Sequence, residues 1–95
     1  MIIDKPLHCT ADSLKAISHP LRLKILCALG HREMYVNELV ESLGTTQSNL
    51  SHHLATMRIN GVLNSRRDAK KILYRVKDSR TLEMVEILRD IFCVQ

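Results

Sequence analysis

The apolar residues recur with helical spacing along most of the chain, and Gly or Pro separates one helical segment from the next. The pattern predicts a first short helix with its N-cap at Asp12 or Ser13 and its end near Ile17. A second helix is predicted to begin at Pro20, whose missing N–H costs nothing in a first turn, and to end at Gly30. Two helices therefore open the predicted fold.

Two further helices are predicted close together in the middle of the chain. Residues 34–36 form a brief extended segment, and Asn37 caps a helix that Gly44 ends. The next helix, residues 46–60, starts only two residues later and is capped by Thr45 or Thr46. Its residues expected to face inward are Leu50, Leu54, Met57 and, less regularly, Ile59. Two helices joined by a tight turn with Gly are typical of a helix-turn-helix.

A β-hairpin and a strongly apolar helix complete the predicted fold. Residues 62–67 and 71–76 alternate in polarity and contain β-branched side chains, which predicts two strands around a short turn. Asp78 or Ser79 then caps a helix that runs to about Val94. The apolar residues that cover well over half of its circumference are Leu82, Met84, Val85, Ile87, Leu88, Ile91 and Phe92.

This last helix needs two apolar surfaces to bury itself, because a domain of 95 residues has only a modest core. We expect it to join two copies of the chain into a homodimer through the terminal helices. The alternative is that it closes the core of a monomer. The expected fold is mostly α with a small β-hairpin: residues 1–11 form a loose N-terminal arm, and residues 12–95 form one winged helix-turn-helix domain.

Composition predicts a cytoplasmic protein that does not enter a membrane. No run of about 18 apolar residues is present, and residues 1–10 lack the basic start and apolar centre of a signal peptide. We therefore do not expect Cys9, Cys27 and Cys93 to form a permanent disulfide framework. No nucleophile–base pair or cofactor motif is present, which argues against an enzyme and against a cofactor.

Positive charge is concentrated in one segment of the chain. Residues 58–80 contain eight Lys and Arg residues and two Asp residues, whereas the rest of the chain contains six basic and eight acidic residues. A surface that binds a polyanion has this kind of charge distribution. The alternative is a solvated run of charges that binds nothing.

The predicted helix at residues 46–60 has the side chains for reading DNA. The second helix of a helix-turn-helix enters the major groove with its first turns, where short hydrogen-bonding groups pair with base edges or phosphates. No acidic residue occurs between Gly44 and Ser65 to repel phosphate. The expected DNA contacts are Thr46, Gln47, Ser48, Asn49, Ser51, His52 and His53. Because adjacent histidines point about 100° apart on a helix, the last two are not expected to share a metal ion.

The hairpin is expected to act as a wing on the flanking DNA backbone. Its cations near the tip are Arg66, Arg67, Lys70 and Lys71. Contacts to phosphate set affinity and make it sensitive to salt rather than to sequence. An ordinary polar helix beside a solvated hairpin is the alternative. The order of these elements and the charge asymmetry together favour binding to double-stranded operator DNA.

From about residue 14 to residue 94 the chain resembles the ArsR-type family of bacterial winged-helix repressors. The motifs that carry the resemblance are AISHPLRLKIL at residues 16–26, Glu38-Leu39, QSNLSHHL at residues 47–54, and GVL at residues 61–63 followed by Arg66, Arg67 and Tyr74. The resemblance implies a homodimeric repressor that leaves its operator when an inducer binds.

The resemblance also bears on the inducer. Many metal-sensing members of the family use cysteines in the first motif helix, or histidines and carboxylates on the last helix. Residues 34–39 contain no cysteine, and the last helix contains no histidine. The placement of Cys27 and Cys93 instead resembles the subgroup that senses reactive sulfur species or oxidants through a dithiol. A disulfide needs Cα atoms within roughly 7 Å, whereas the longer sulfur bridge that the resemblance implies tolerates more.

Three alternatives remain open for these cysteines and for the function. In the first, Cys27 fills the core and Cys93 is an incidental surface thiol. In the second, the protein is a metal-responsive repressor with an unusual site. A metal site from His8, Cys9 and Cys93 is conceivable, although the spacing gives it no support. The third alternative is a winged-helix protein-interaction module that never binds DNA.

Overall fold

The computed structural model describes residues 5–93, and it describes side chains from residue 7 onward. Its elements are α1 (Lys5–Ile17), α2 (Pro20–Leu29), β1 (Met34–Tyr35), α3 (Val36–Leu43), α4 (Gln47–Ile59), β2 (Leu63–Asp68), β3 (Lys71–Val76) and α5 (Arg80–Phe92). None of the helices in this part of the chain is long and apolar enough to cross a bilayer.

α1 begins earlier than the hydrophobic pattern predicts. Residues 5–11 are helical, so the expected loose arm is wrong for them, and residues 1–4 of that arm lie outside the described residues. The predicted caps, Asp12 and Ser13, lie inside the helix. No glycine interrupts α1, and the proline at position 6 falls in the first turn, where a missing N–H is tolerated.

The start of α3 is set by tertiary structure rather than by the best capping residue in the sequence. The predicted cap at Asn37 is wrong, because the helix begins at Val36 and Tyr35 is its N-cap. The Glu38 Oε1 atom accepts a hydrogen bond from the Tyr35 N–H at 2.8 Å. At the other end Gly44 adopts the left-handed conformation (φ 63°) that ends the helix, as predicted.

α4 agrees with its prediction to within one residue at each end. The Thr46 Oγ1 atom accepts a hydrogen bond from the Asn49 N–H at 3.1 Å, which confirms Thr46 as the cap. The predicted inward residues that are fully buried are Leu50, Leu54 and Met57. Ile59 is 73% exposed, so its predicted inward position is wrong. It lies two residues beyond the buried face, about 200° around the helix from Met57.

The predicted hairpin is confirmed, with β2 shifted by one residue, and β1 adds a third antiparallel strand in the order β1–β3–β2. Asp68 pairs with Lys71, which leaves a two-residue turn in which Ala69 has a φ of 57°. Met34 pairs with Tyr74, so β1 attaches the hairpin to the helical part of the protein.

The core lies where α2, α3, α4 and β2 meet. Its fully buried side chains are Ile25, Leu26, Leu29, Leu39, Leu50, Leu54, Met57 and Leu63.

α5 contains no buried residue and packs on this core only through the partly buried Leu82, Met84 and Val85. Of the two predicted caps, Ser79 is the N-cap of α5 but makes no side-chain cap bond, whereas the Asp78 Oδ1 atom accepts a hydrogen bond from the Arg80 N–H at 2.9 Å. The predicted end at Val94 lies outside the described residues, and α5 ends at Phe92. The architecture is a winged helix-turn-helix, with α3 and α4 as the motif and β2–β3 as the wing.

Candidate DNA interface and thiol groove

The first turns of α4 present a polar surface without carboxylates. Six of the seven side chains predicted to contact DNA on this helix are exposed: Thr46, Gln47, Ser48, Asn49, Ser51 and His52. The Asn49 Nδ2 atom donates to Thr45 Oγ1 at 2.9 Å, and Ser51 Oγ donates to the Gln47 carbonyl at 2.8 Å. These local bonds hold polar groups in defined positions, which lowers the entropy lost when a partner binds.

His53 is the seventh of these residues, and the prediction that it faces outward is wrong. Only 9% of His53 is exposed, because helical spacing places it beside Leu50 on the inward face of α4. Its Nδ1 atom accepts a hydrogen bond from Arg22 Nε at 2.9 Å, and its ring centroid lies 4.6 Å from that of His19. Burial, followed by the charge of Arg22, lowers the pKa of His53 and so favours the neutral imidazole.

The four predicted wing cations have different surroundings. Three of them are exposed and have no acidic partner in the part of the chain that the structure describes: Arg67, Lys70 and Lys71. The Lys71 Nζ atom lies 5.2 Å from the centroid of the Tyr35 ring, within reach of a cation–π contact. Arg66 instead makes a two-pronged ion pair with Glu33, in which Nε and Nη2 lie 2.8 and 2.9 Å from the carboxylate oxygens. This guanidinium lowers the pKa of Glu33.

Glu33 and Tyr35 are residues of this site that the sequence analysis missed. The Tyr35 hydroxyl donates a hydrogen bond to the Asp68 carboxylate, which raises the pKa of Tyr35. Both the Tyr35–Asp68 and the Glu33–Arg66 contacts join residues that are 33 positions apart. Neither helical nor strand periodicity relates such positions, so only the sheet pairing brings them together. One ion pair and one hydrogen bond thus link β2 to the segment at β1, in addition to the pairing of β1 with β3.

Cys27 and Cys93 line the same groove. Both cysteines are exposed, and both border a cavity of about 670 Å³ where α1, α2 and α5 meet. Cys9 is also exposed, but it does not line this cavity. Between residues 5 and 93, no three His, Cys, Asp or Glu side chains are grouped so that they could hold a metal ion. The fold therefore brings the two predicted sensing thiols to one surface.

Comparisons with known proteins agree with this architecture. The profile described as "Bacterial regulatory protein, arsR family" matches residues 19–65, from the start of α2 to the start of the wing. The Biofilm growth-associated repressor of Xylella fastidiosa is 37% identical over 98% of this chain and 82% of its own length. The transcriptional regulator YgaV of Escherichia coli is 42% identical over 87% of this chain and 85% of its own.

A solved structure extends the similarity to three dimensions. Reduced HlyU from Vibrio cholerae superposes with a TM-score of 0.79 and is 36% identical, with 95% of each chain covered. The similarity therefore includes all three helices around the groove as well as the helix-turn-helix. The chain belongs to the ArsR family of bacterial regulatory proteins, and it is a DNA-binding transcriptional regulator rather than an enzyme.

Proposed function

We propose that this regulator binds double-stranded operator DNA as a homodimer and represses transcription until thiol chemistry at Cys27 and Cys93 releases it. The observation that carries the DNA-binding part is the exposed, carboxylate-free start of α4 next to a cationic wing. β2 packs directly against α4, so the wing begins beside the proposed DNA-reading helix. The related Xylella protein is itself named a repressor.

The exposed residues divide into two kinds of contact. Gln47 and Asn49 have the amide groups that pair with adenine in the major groove, with Thr46, Ser48, Ser51 and His52 around them. Arg67, Lys70 and Lys71 contact phosphate in the flanking DNA, whereas Arg66 does so only when it leaves Glu33. In a two-fold dimer, two copies of α4 would read half-sites about 34 Å apart.

DNA affinity measured over a range of salt concentrations tests this part of the proposal. Arg67→Gln should weaken binding to all DNA sequences and reduce the slope of log K against log salt by about one. Gln47→Ala should instead relax the preference for one base pair, at a cost of about 1–3 kcal/mol. Lys24→Gln, which removes a cation from α2 outside the interface, is the control. Absent or salt-independent binding would favour the protein-interaction module.

The thiol part of the proposal is supported by the groove that Cys27 and Cys93 share. Hydrogen peroxide accepts two electrons and two protons from the pair, which gives one disulfide and two molecules of water. A hydropersulfide accepts the same electrons and protons and leaves as a thiol and hydrogen sulfide. A longer, three-sulfur bridge requires two hydropersulfides, one of which leaves its outer sulfur between the two cysteines, and the products are then the bridge, two thiols and one hydrogen sulfide. Because Cys93 follows α5 directly, the new bond would pull on this helix and change the separation of the two α4 helices.

Mass spectrometry of the treated protein, combined with DNA release, tests the thiol switch. Persulfide or peroxide should link Cys27 to Cys93 within one chain and release DNA. Cys27→Ser and Cys93→Ser should abolish both responses, whereas Cys9→Ser should keep them. A Cys27→Ser, Cys93→Ser protein that still responds to persulfide would refute the dithiol. DNA release from that protein by a metal ion would instead support the metal-responsive alternative.

A further inference from the structure

A second, smaller cavity lies where the end of α2, the end of β3 and the start of α5 meet. Its lining residues are 30–32, which follow α2, 75–77 at the end of β3, and Ser79, the N-cap of α5. It shares no residue with the thiol groove. Its volume of about 270 Å³ is just below the range of about 300–1,000 Å³ that is usual for drug-sized ligands, so it suits a compact ligand.

The charged side chains around this cavity have one sign. Arg32, Arg75 and Lys77 are exposed cations, and no carboxylate is among the described residues that line the cavity. Guanidinium and ammonium groups are the side chains that proteins use most to bind phosphate. Three like charges around one cavity repel one another, and a bound anion would relieve this repulsion.

The carboxylates that border the cavity in sequence are already paired with other arginines. Both oxygens of Glu33 accept hydrogen bonds from Arg66, and both oxygens of Asp78 accept hydrogen bonds from Arg80. The pKa of Glu33 is lowered mainly by Arg66 and to a lesser extent by Arg75. Between residues 5 and 93, none of the three cavity cations takes part in an ion pair. Their charge is therefore available to a ligand.

The cavity lies away from the residues that are proposed to contact DNA. The Lys77 N–H donates to the Val62 carbonyl at 3.1 Å, and the Val62 N–H donates to the Met57 carbonyl at 2.8 Å, so Lys77 lies near the C-terminal end of α4. The first turn of α4 is about 15 Å away along the helix, and the tip of the wing is about as far along β3. A small anion can therefore reach the cavity while DNA covers the first turns of α4 and the tip of the wing.

We propose that this cavity binds a compact phosphorylated small molecule, inorganic phosphate being the simplest member of the class. Arg75 and Lys77 pair with the phosphate oxygens from the end of β3, and Arg32 pairs with them from the segment after α2. The bound anion links the base of the wing to the start of α5. Because the unfolded chain does not bring these three cations together, the anion also stabilises the folded protein.

The test is a titration of the full-length protein with inorganic phosphate, at an ionic strength held constant with sodium chloride. Amide NMR spectra should show saturable shifts for residues 30–32 and 75–79 and none for the first turns of α4. Arg75→Gln and Lys77→Gln should each weaken phosphate binding by about two- to fivefold, as expected for exposed ion pairs. Lys24→Gln, on α2 but outside the cavity, should bind phosphate as the unaltered protein does. The same spectra show that each variant is folded.

Three outcomes would overturn the proposal. The first is a set of shifts that do not saturate, and the second is equal phosphate affinity for Arg75→Gln, Lys77→Gln and the unaltered protein. The third is a shift of residues 75–79 caused by a duplex DNA fragment and reversed by phosphate, because the phosphate group would then belong to the DNA backbone. The titration with phosphate needs neither DNA nor an oxidant, so failure of the proposed function would leave its result unchanged.

Discussion

His53 is a polar side chain enclosed where three helices meet. Arg22, on α2, donates from Nε to His53 on α4 and from Nη1 to the Ala16 carbonyl of α1 at 3.4 Å. His19 lies against the His53 ring and also accepts a hydrogen bond from the Leu21 N–H, which caps α2. One guanidinium therefore connects the proposed DNA-reading helix to α1 and α2, two of the three helices that line the thiol groove.

We predict that protonation of His53 destabilises the folded protein. Its pKa in the fold lies below the unfolded value near 6.5, so the neutral form is the one that folding favours. The stabilisation is complete above that unfolded value and is lost as the pH falls toward the folded pKa. His53→Asn keeps an oxygen that can accept from Arg22 but does not titrate, so its urea midpoint should depend less on pH between about 7 and 5.

His31→Asn is the control for this measurement, because His31 is exposed and is not among the residues that contact or electrostatically perturb His53. Identical profiles for His53→Asn and the unaltered protein would show that His53 does not carry the effect. The sequence contained the signal for this burial, since His53 has helical spacing with Leu50 and Met57. The hydrogen-bonding chemistry of histidine led to the opposite prediction.

At the scale of elements, the wing depends on contacts that local sequence does not encode. The Glu33–Arg66 ion pair and the Tyr35–Asp68 hydrogen bond join the segment at β1 to β2. The same segment explains the cap of α3: β1 pairs with β3, and this pairing fixes Tyr35 as the last extended residue before the helix. Local propensity correctly predicted the cap at Thr46 but wrongly chose Asn37, where pairing between distant strands decides the boundary.

We predict that Glu33→Gln strengthens DNA binding and makes it more sensitive to salt. Loss of the carboxylate charge weakens the hold on Arg66, whose guanidinium can then reach a phosphate. One added phosphate contact steepens the slope of log K against log salt by about one. Fluorescence anisotropy of a labelled duplex across salt concentrations measures this slope.

Glu41→Gln is the control for the Glu33 variant, because it removes the same charge from an exposed position on α3. If both variants change the slope equally, the effect comes from net charge alone and Arg66 is not held back by Glu33. If Glu33→Gln instead weakens binding, the ion pair orients the wing for DNA and Arg66 does not need to be released.

At the scale of the whole molecule, α5 has more apolar surface than one protomer buries, as the sequence predicts. The sequence indicated that α5 is too apolar for a small monomer, and no residue of α5 is buried within the protomer. The sequence could not show how its apolar surface divides. Only the position of α5 beside α2, across the groove from α1, separates the face toward the groove from the strip that contains Ile87 and Ile91.

We predict that Ile87→Glu and Ile91→Glu each weaken self-association by about tenfold or more while leaving the protomer folded. Burying one isoleucine contributes about 1.5–3 kcal/mol, and a tenfold change in affinity corresponds to about 1.4 kcal/mol. Neither side chain belongs to the core, so its replacement leaves no internal cavity. Sedimentation over a range of concentrations measures the association, and Ile72→Glu, which alters a partly exposed isoleucine on the wing, should associate normally.

Since two half-sites must be held together, both α5 variants should also lose operator affinity in proportion to the lost dimer. Tight operator binding by a variant that sediments as a monomer would show that two-fold symmetry is not required.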